Sequence, residues 1–190
     1  HPGWVRIHAN FAHHRDGALR LLGLPPGTGT ERAQVASALR DWRAEDFEQA
    51  AADAGLVVAA ARHFDQWDAH PQSASVAALP VVAIDRVGAA GPAVPVLPLA
   101  VGQRPLQGLR VLDLTRILAG PVAGRTLAAY GADVMLVNSP HLPNIESIAE
   151  TSRGKLSVHL DLKTEAGRET LRGLVRQADV FLQGYRPGGL

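Results

Sequence analysis

The sequence predicts an α/β protein: an open, largely parallel sheet over residues 105–190, preceded by a smaller α+β domain and a Pro/Gly-rich linker. Three observations predict it. After Pro105, apolar runs of strand length alternate with segments of helical period, the order that builds parallel sheets covered by helices. From Gly88 to Pro105 the chain is poor in charge and punctuated by Gly88, Gly91, Pro92, Pro95, Pro98, Gly102 and Pro105. Proline at that density excludes both regular helix and central strand. The composition, 46% hydrophobic and 19% charged, supplies enough apolar material for a sizeable core.

The first domain spans residues 1–87. Trp4 to Asn10 alternates large apolar with polar residues, the period of a half-buried strand. Between His13 and Leu22, Ala18, Leu21 and Leu22 recur at helical spacing, and Gly23 with Pro25-Pro26 stops the helix. Glu31 to Leu39 and Ala44 to Ala54 read as further helices. Phe47, Ala50, Ala51 and Ala54 line one face of the second, and Gly55 ends it. Leu56 to Ala59 is a short apolar run, and a helical turn or two surrounds Phe64, Trp67 and His70-Pro71. Val81 to Ile84 reads as a strand. The linker occupies residues 88–104.

The second domain, 105–190, carries the stronger pattern. Leu109 to Leu114 is a buried-strand candidate. Pro121 opens a helix of small residues and Gly131 closes it. Ala132 to Val137 is the next strand, followed by an irregular, proline-marked loop. Leu156 to Leu162 alternates as a strand. Thr164 and Glu165 start a helix with Leu171, Leu174 and Val175 on one stripe, and Ala178 to Leu182 is a last strand. This is a Rossmann-like layout.

Composition also narrows the function classes. A net charge of +1 argues against a nucleic-acid binder. No apolar run reaches the length of a membrane span. Cysteine is absent, which removes disulfides and thiolate chemistry. With no signal-peptide pattern, a soluble, cytoplasmic protein is the expectation. The chain begins without methionine and stops within an apparent loop, so a piece of a longer polypeptide is expected.

In an open α/β sheet ligands sit at the carboxyl ends of strands. The turn after the first strand of the second domain, Thr115 to Pro121, contains neither the dinucleotide nor the P-loop glycine fingerprint, so a standard NAD domain is disfavoured. Its residues are nonetheless distinctive. Pro105-Leu106-Gln107-Gly108-Leu109-Arg110-Val111-Leu112-Asp113-Leu114-Thr115-Arg116 is followed by Ala119-Gly120-Pro121 and Leu127 to Val134. Then come Arg153-Gly154-Lys155 through Lys163, Ala178-Asp179-Val180 and Tyr185-Arg186-Pro187-Gly188. In this order and spacing, the blocks resemble the N-terminal signature of the family III CoA-transferases, with their carnitine, formyl-CoA and acyl-CoA racemase relatives. Less sharply, Gly3-Trp4-Val5, Ala54 to Val58, Trp67 and His70-Pro71-Gln72 resemble that family's small domain, placed ahead of the large domain instead of after its start. A fused chain is the simplest explanation.

The resemblance implies transfer of coenzyme A from an acyl-CoA to a carboxylic acid acceptor through an aspartyl intermediate. The expected nucleophile lies beyond Leu190, so no catalytic residue is assigned, and the fragment alone is expected to be inactive. Asp113, Asp161 and Asp179 are expected in turn-capping roles. By position, the resemblance places CoA contacts at Ile117, Leu118 and Ala119, at Ser139, at Leu160 and Lys163, and at Gly184, Tyr185 and Arg186. Lys163 and Arg186 suit the phosphates. Two departures stand out: Leu136-Val137-Asn138-Ser139 lacks a basic residue expected near the adenosine, and Gly184-Tyr185 keeps an aromatic while losing an amide. No metal or further cofactor is expected, because His8, His13 and His14 lack zinc-like spacing. His159 is expected half-buried. Partners implied are acyl-CoA, the acid, and an interlocked homodimer or the remainder of the same chain. An acyl-CoA racemase and a non-catalytic acyl-CoA-binding subunit are the alternatives.

Overall fold

A computed structural model describes residues 3–89, 98–186 and 188–189. The chain packs as two units that divide between Val87 and Gly88. Residues 90–97 of the proline-rich stretch expected as a linker lie outside the described residues.

The N-terminal unit contains strand β1 (Val5–Ile7), helices α1 (Ala12–Leu21), α2 (Arg32–Ala38) and α3 (Ala44–Asp53), strand β2 (Val58–Ala60), and helices α4 (Phe64–Asp68) and α5 (Pro71–Ala77). β1 and β2 pair antiparallel, with Val5 opposite Ala60. The buried residues are few: Ala18 and Leu19 from α1, Phe47 and Ala51 from α3, and Ala60. Trp42 meets the ring of Phe47 edge-on at 5.4 Å, a favoured aromatic geometry. His63 and His70 are the N-cap residues of α4 and α5.

The strand expected at Val81–Ile84 is absent. Those residues form bends and irregular chain, with Val81 and Ile84 almost wholly exposed. Four apolar residues in sequence satisfy the period of a buried strand, but a strand needs a partner for its N–H and C=O groups, and none stands beside them in the described residues.

The C-terminal unit runs β3 (Arg110–Asp113), α6 (Ala119–Ala129), β4 (Asp133–Asn138), α7 (Ile148–Thr151), β5 (Leu156–His159), α8 (Glu165–Val175) and β6 (Val180–Leu182). The four strands form one parallel sheet in the order β5-β4-β3-β6. The period of two in β3 sends Val111 to one face and Leu112 to the other. Val111 joins Ala128, Ala132 and Val134 in one core, capped by α6. Leu112, Leu114 and Val137 form the second core, against Leu171 and Leu174 of α8. Helices therefore cover opposite faces, as expected of a parallel sheet.

Local signals explain the helix ends. Pro121 lies in the first turn of α6, where a missing N–H costs nothing. Gly131 follows the helix at φ 104°, with Gly131 N–H bonded to Ala128 O and Ala132 N–H to Leu127 O. Thr164 caps α8, its hydroxyl accepting the Gly167 N–H. Three details differ from expectation. The proline-marked loop contains the short helix α7. Val175 is 41% exposed and leaves the buried stripe. His159 is exposed, because β5 is an edge strand.

Candidate functional site

Building from the strand ends outward, Asp113 closes β3 with its side chain fully buried. Lys155, just ahead of β5, reaches it: Nζ lies 2.8 Å from Asp113 Oδ2, and both side chains are 0% exposed. Asp113 Oδ1 accepts the Thr115 N–H at 2.9 Å and the Thr115 hydroxyl at 2.5 Å. The loop-acceptor role expected of Asp113 is present, but its buried cationic partner is an addition that sequence spacing did not suggest. Lys155 also donates to Pro121 O at 2.9 Å. Gly124 of α6 makes the space, since a Cβ there would stand 2.3 Å from Asp113 Oδ2 and 2.9 Å from Lys155 Nζ.

Beyond Thr115 the chain turns sharply. Ile117 has φ 75°, a left-handed conformation that β-branched residues avoid. Two contacts from the loop after β4 brace it: Arg116 donates to Pro143 O at 2.7 Å, and the Ser147 hydroxyl lies 3.4 Å from Ile117 O. A cleft of about 20 Å³ opens among Thr115, Ile117, Asn138 and Ile145, room for about one water.

At the end of β4, Asn138 is buried and donates to the Ser157 hydroxyl at 2.9 Å while accepting from Asn144 at 3.2 Å. Ser139 Oγ accepts the His141 N–H at 3.2 Å. His141 Nε2 and Asp161 Oδ2 lie 2.9 Å apart, joining the loop after β4 to the loop after β5. That hydrogen bond, together with the Lys163 N–H, holds the Asp161 carboxyl below the usual carboxylate range. Asp161 thus does cap its turn, as expected. Asp179 instead accepts the N–H of Arg110 on the neighbouring strand.

A larger cleft of about 570 Å³ lies at the carboxyl ends of β4, β5 and β6, within the size range of small-molecule sites. Ser139, His141, Lys163, Arg168, Leu171 and Tyr185 are among its walls. Arg168 is fixed by donating to Leu162 O and Lys163 O, both at 3.0 Å, and Glu165 accepts from Arg168 and Arg172. The lining is therefore largely apolar, with Asp161, Lys163, Arg168 and Arg172 as its charged residues.

Of the nine positions expected to contact CoA, the structure brings Ser139, Lys163 and Tyr185 together in this cleft. Ile117 lines the small cleft instead. Leu118 and Ala119 are the N-cap and first residue of α6, and both are exposed. Leu160 packs into the core beneath Tyr185 and continues the sheet ladder, its N–H bonded to Asn138 O. Gly184 and Arg186 are exposed, and these last five positions line neither cleft. His141 and Lys155 were missed because their partners lie 20 and 42 residues away, and no local spacing encodes such a pair.

The C-terminal unit is thus an open parallel sheet with helices on both faces and a cleft at the carboxyl ends of its strands, the place where such sheets bind ligands. Comparison with known proteins adds a likeness: residues 106–190 match the model of CoA-transferase family III. An acyl-CoA transferase of Gibberella moniliformis is 32% identical across 98% of this chain, which covers 34% of that protein. A succinate–glutarate CoA-transferase of Agrobacterium fabrum is 41% identical over 45% of this chain and 26% of its own length. A formyl-CoA:oxalate CoA-transferase of Streptomyces coelicolor is 37% identical over 45% of this chain and 24% of its own. The chain thus spans about a third or less of these relatives. The Gibberella match crosses both units, so their order recurs there.

Proposed function

We propose that this chain is part of a CoA transferase that moves coenzyme A from an acyl-CoA thioester to a carboxylic acid, with the C-terminal unit holding the CoA moiety. The observation that carries this reading is the convergence of Ser139, Lys163 and Tyr185, from three separate strand ends, on one cleft of about 570 Å³. Tyr185 offers a half-buried ring against which a base can stack. Lys163, with Arg168 and Arg172 behind it, offers charge-assisted donors to phosphate oxygens. Ile117 to Ala119 present backbone at the start of α6, where negative charge is favoured.

In this reading an aspartate carboxylate outside these residues attacks the thioester carbonyl. The carbon–sulfur bond breaks, CoA leaves as the thiolate, and a mixed anhydride remains. Asp113 is unsuited to that role, being wholly buried and bound to Lys155.

The test is a transfer assay on the complete polypeptide that carries this sequence. Incubation with an acyl-CoA and a free carboxylic acid is expected to yield the thioester of the added acid. Lys163→Glu is expected to raise KM for acyl-CoA about tenfold, the loss of one charge-assisted contact with its charge reversed. Absence of any new thioester across a panel of short-chain acyl-CoAs and acids counts against the reading.

A further inference from the structure

We propose that Lys155 is a positioning residue for acyl-CoA, acting through Asp113 to hold the loop from Thr115 to Leu118 in its binding conformation; this rests on the acyl-CoA reading above.

The two residues touch no cleft described above, yet the fold gives them an expensive environment. An ammonium and a carboxylate with no exposed side-chain surface must recover their lost hydration from each other, and a well-packed apolar pair serves stability equally well or better. Their value must therefore be sought in geometry. The Lys155 ammonium ties three elements together: it stands just ahead of β5, binds Asp113 at the end of β3, and binds Pro121 O in the first turn of α6. Those last two contacts bracket the Thr115–Leu118 loop at both of its ends. Asp113 then passes the constraint into the loop through two hydrogen bonds to Thr115.

Inside the bracket stands Ile117, left-handed at φ 75°. Such a conformation persists only where the surroundings over-determine it, and it clusters at binding sites. The brace from Arg116 to Pro143 O acts from outside, and the Lys155–Asp113–Thr115 chain acts from beneath. Gly124 is the sequence's concession to this arrangement, since any side chain there would meet both charged groups.

Two variants of the complete polypeptide test the proposal, read by CoA binding calorimetry, melting temperature and steady-state kinetics. Thr115→Val keeps the volume and the ion pair and removes only the hydroxyl donated to Asp113. CoA binding is expected to weaken about fivefold, the order of one buried hydrogen bond. The neutral double variant Asp113→Asn/Lys155→Met is expected to melt close to the wild type, while CoA binds about tenfold more weakly as the bracket is lost. The kinetic loss should fall on KM for acyl-CoA rather than on kcat or on KM for the acid. If the double variant does not fold, Thr115→Val still decides. Wild-type affinity for CoA in both variants, with normal melting, overturns the positioning role alone. A wild-type protein that ignores CoA overturns the functional reading and this inference with it.

Discussion

At Gly124 a hydrogen atom occupies the place where any other residue would press a methyl group against Asp113 and Lys155. Neither neighbour can withdraw without leaving a buried charge unpaired. Gly124→Ala is therefore expected to destabilise the C-terminal unit by about 1–3 kcal/mol, the usual cost of overpacking, measured by urea denaturation. A neutral result contradicts the packed pair. Lys155→Met alone is expected to cost more, about 3–5 kcal/mol, because Asp113 is left charged in the interior. Only part of this residue-scale picture was legible in the sequence. Asp113 at a strand end, two residues before a threonine, reads as a loop acceptor, and it is one. Its partner stands 42 residues away, and nothing in the pattern around Arg153-Gly154-Lys155 distinguishes a buried lysine from a solvated one. The left-handed Ile117 was equally invisible, since sequence rules place that conformation on glycine or asparagine.

Among the elements, the turns after β4 and β5 are joined by His141 and Asp161. The carboxyl group of Asp161 titrates below its ordinary range in the fold, first because of His141 and then because of the Lys163 N–H. A folded-state value lower than the unfolded one means the contribution is complete above the ordinary carboxylate range. It disappears as pH falls through the lower, folded value. Asp161→Asn is therefore expected to flatten the loss of stability that the wild type shows as pH falls below the ordinary carboxylate range. Urea midpoints at pH 5 and pH 3 check it, and equal acid sensitivity in both proteins contradicts it. The Glu48 carboxyl of the N-terminal unit, lowered first by its hydrogen bond from Arg62, carries the same sign. The sheet strands were legible because parallel strands buried on two faces are nearly continuous apolar runs, as in Val111-Leu112 and Val134 to Val137. Val81 to Ile84 has the same look and forms no strand, because pairing is a tertiary property. Helix α7 was missed since four residues are too few to show a period.

For the whole molecule, the two units stand in an order that recurs in a longer fungal acyl-CoA transferase. The C-terminal unit gathers residues from three strand ends around one cleft. The parallel sheet could be foreseen from strand–helix alternation, whereas the cleft could not: only the fold brings Ser139, Lys163 and Tyr185 together. Among the described residues, no helix is long and apolar enough to cross a membrane. The central claim is that this cleft holds coenzyme A. Amide hydrogen exchange of the complete polypeptide, with and without CoA, tests it most directly. Slowed exchange is expected at residues 115–119, 139–141, 161–163 and 183–186 when CoA is present. Unchanged exchange at all four segments, or slowing confined to residues 3–87, would contradict it.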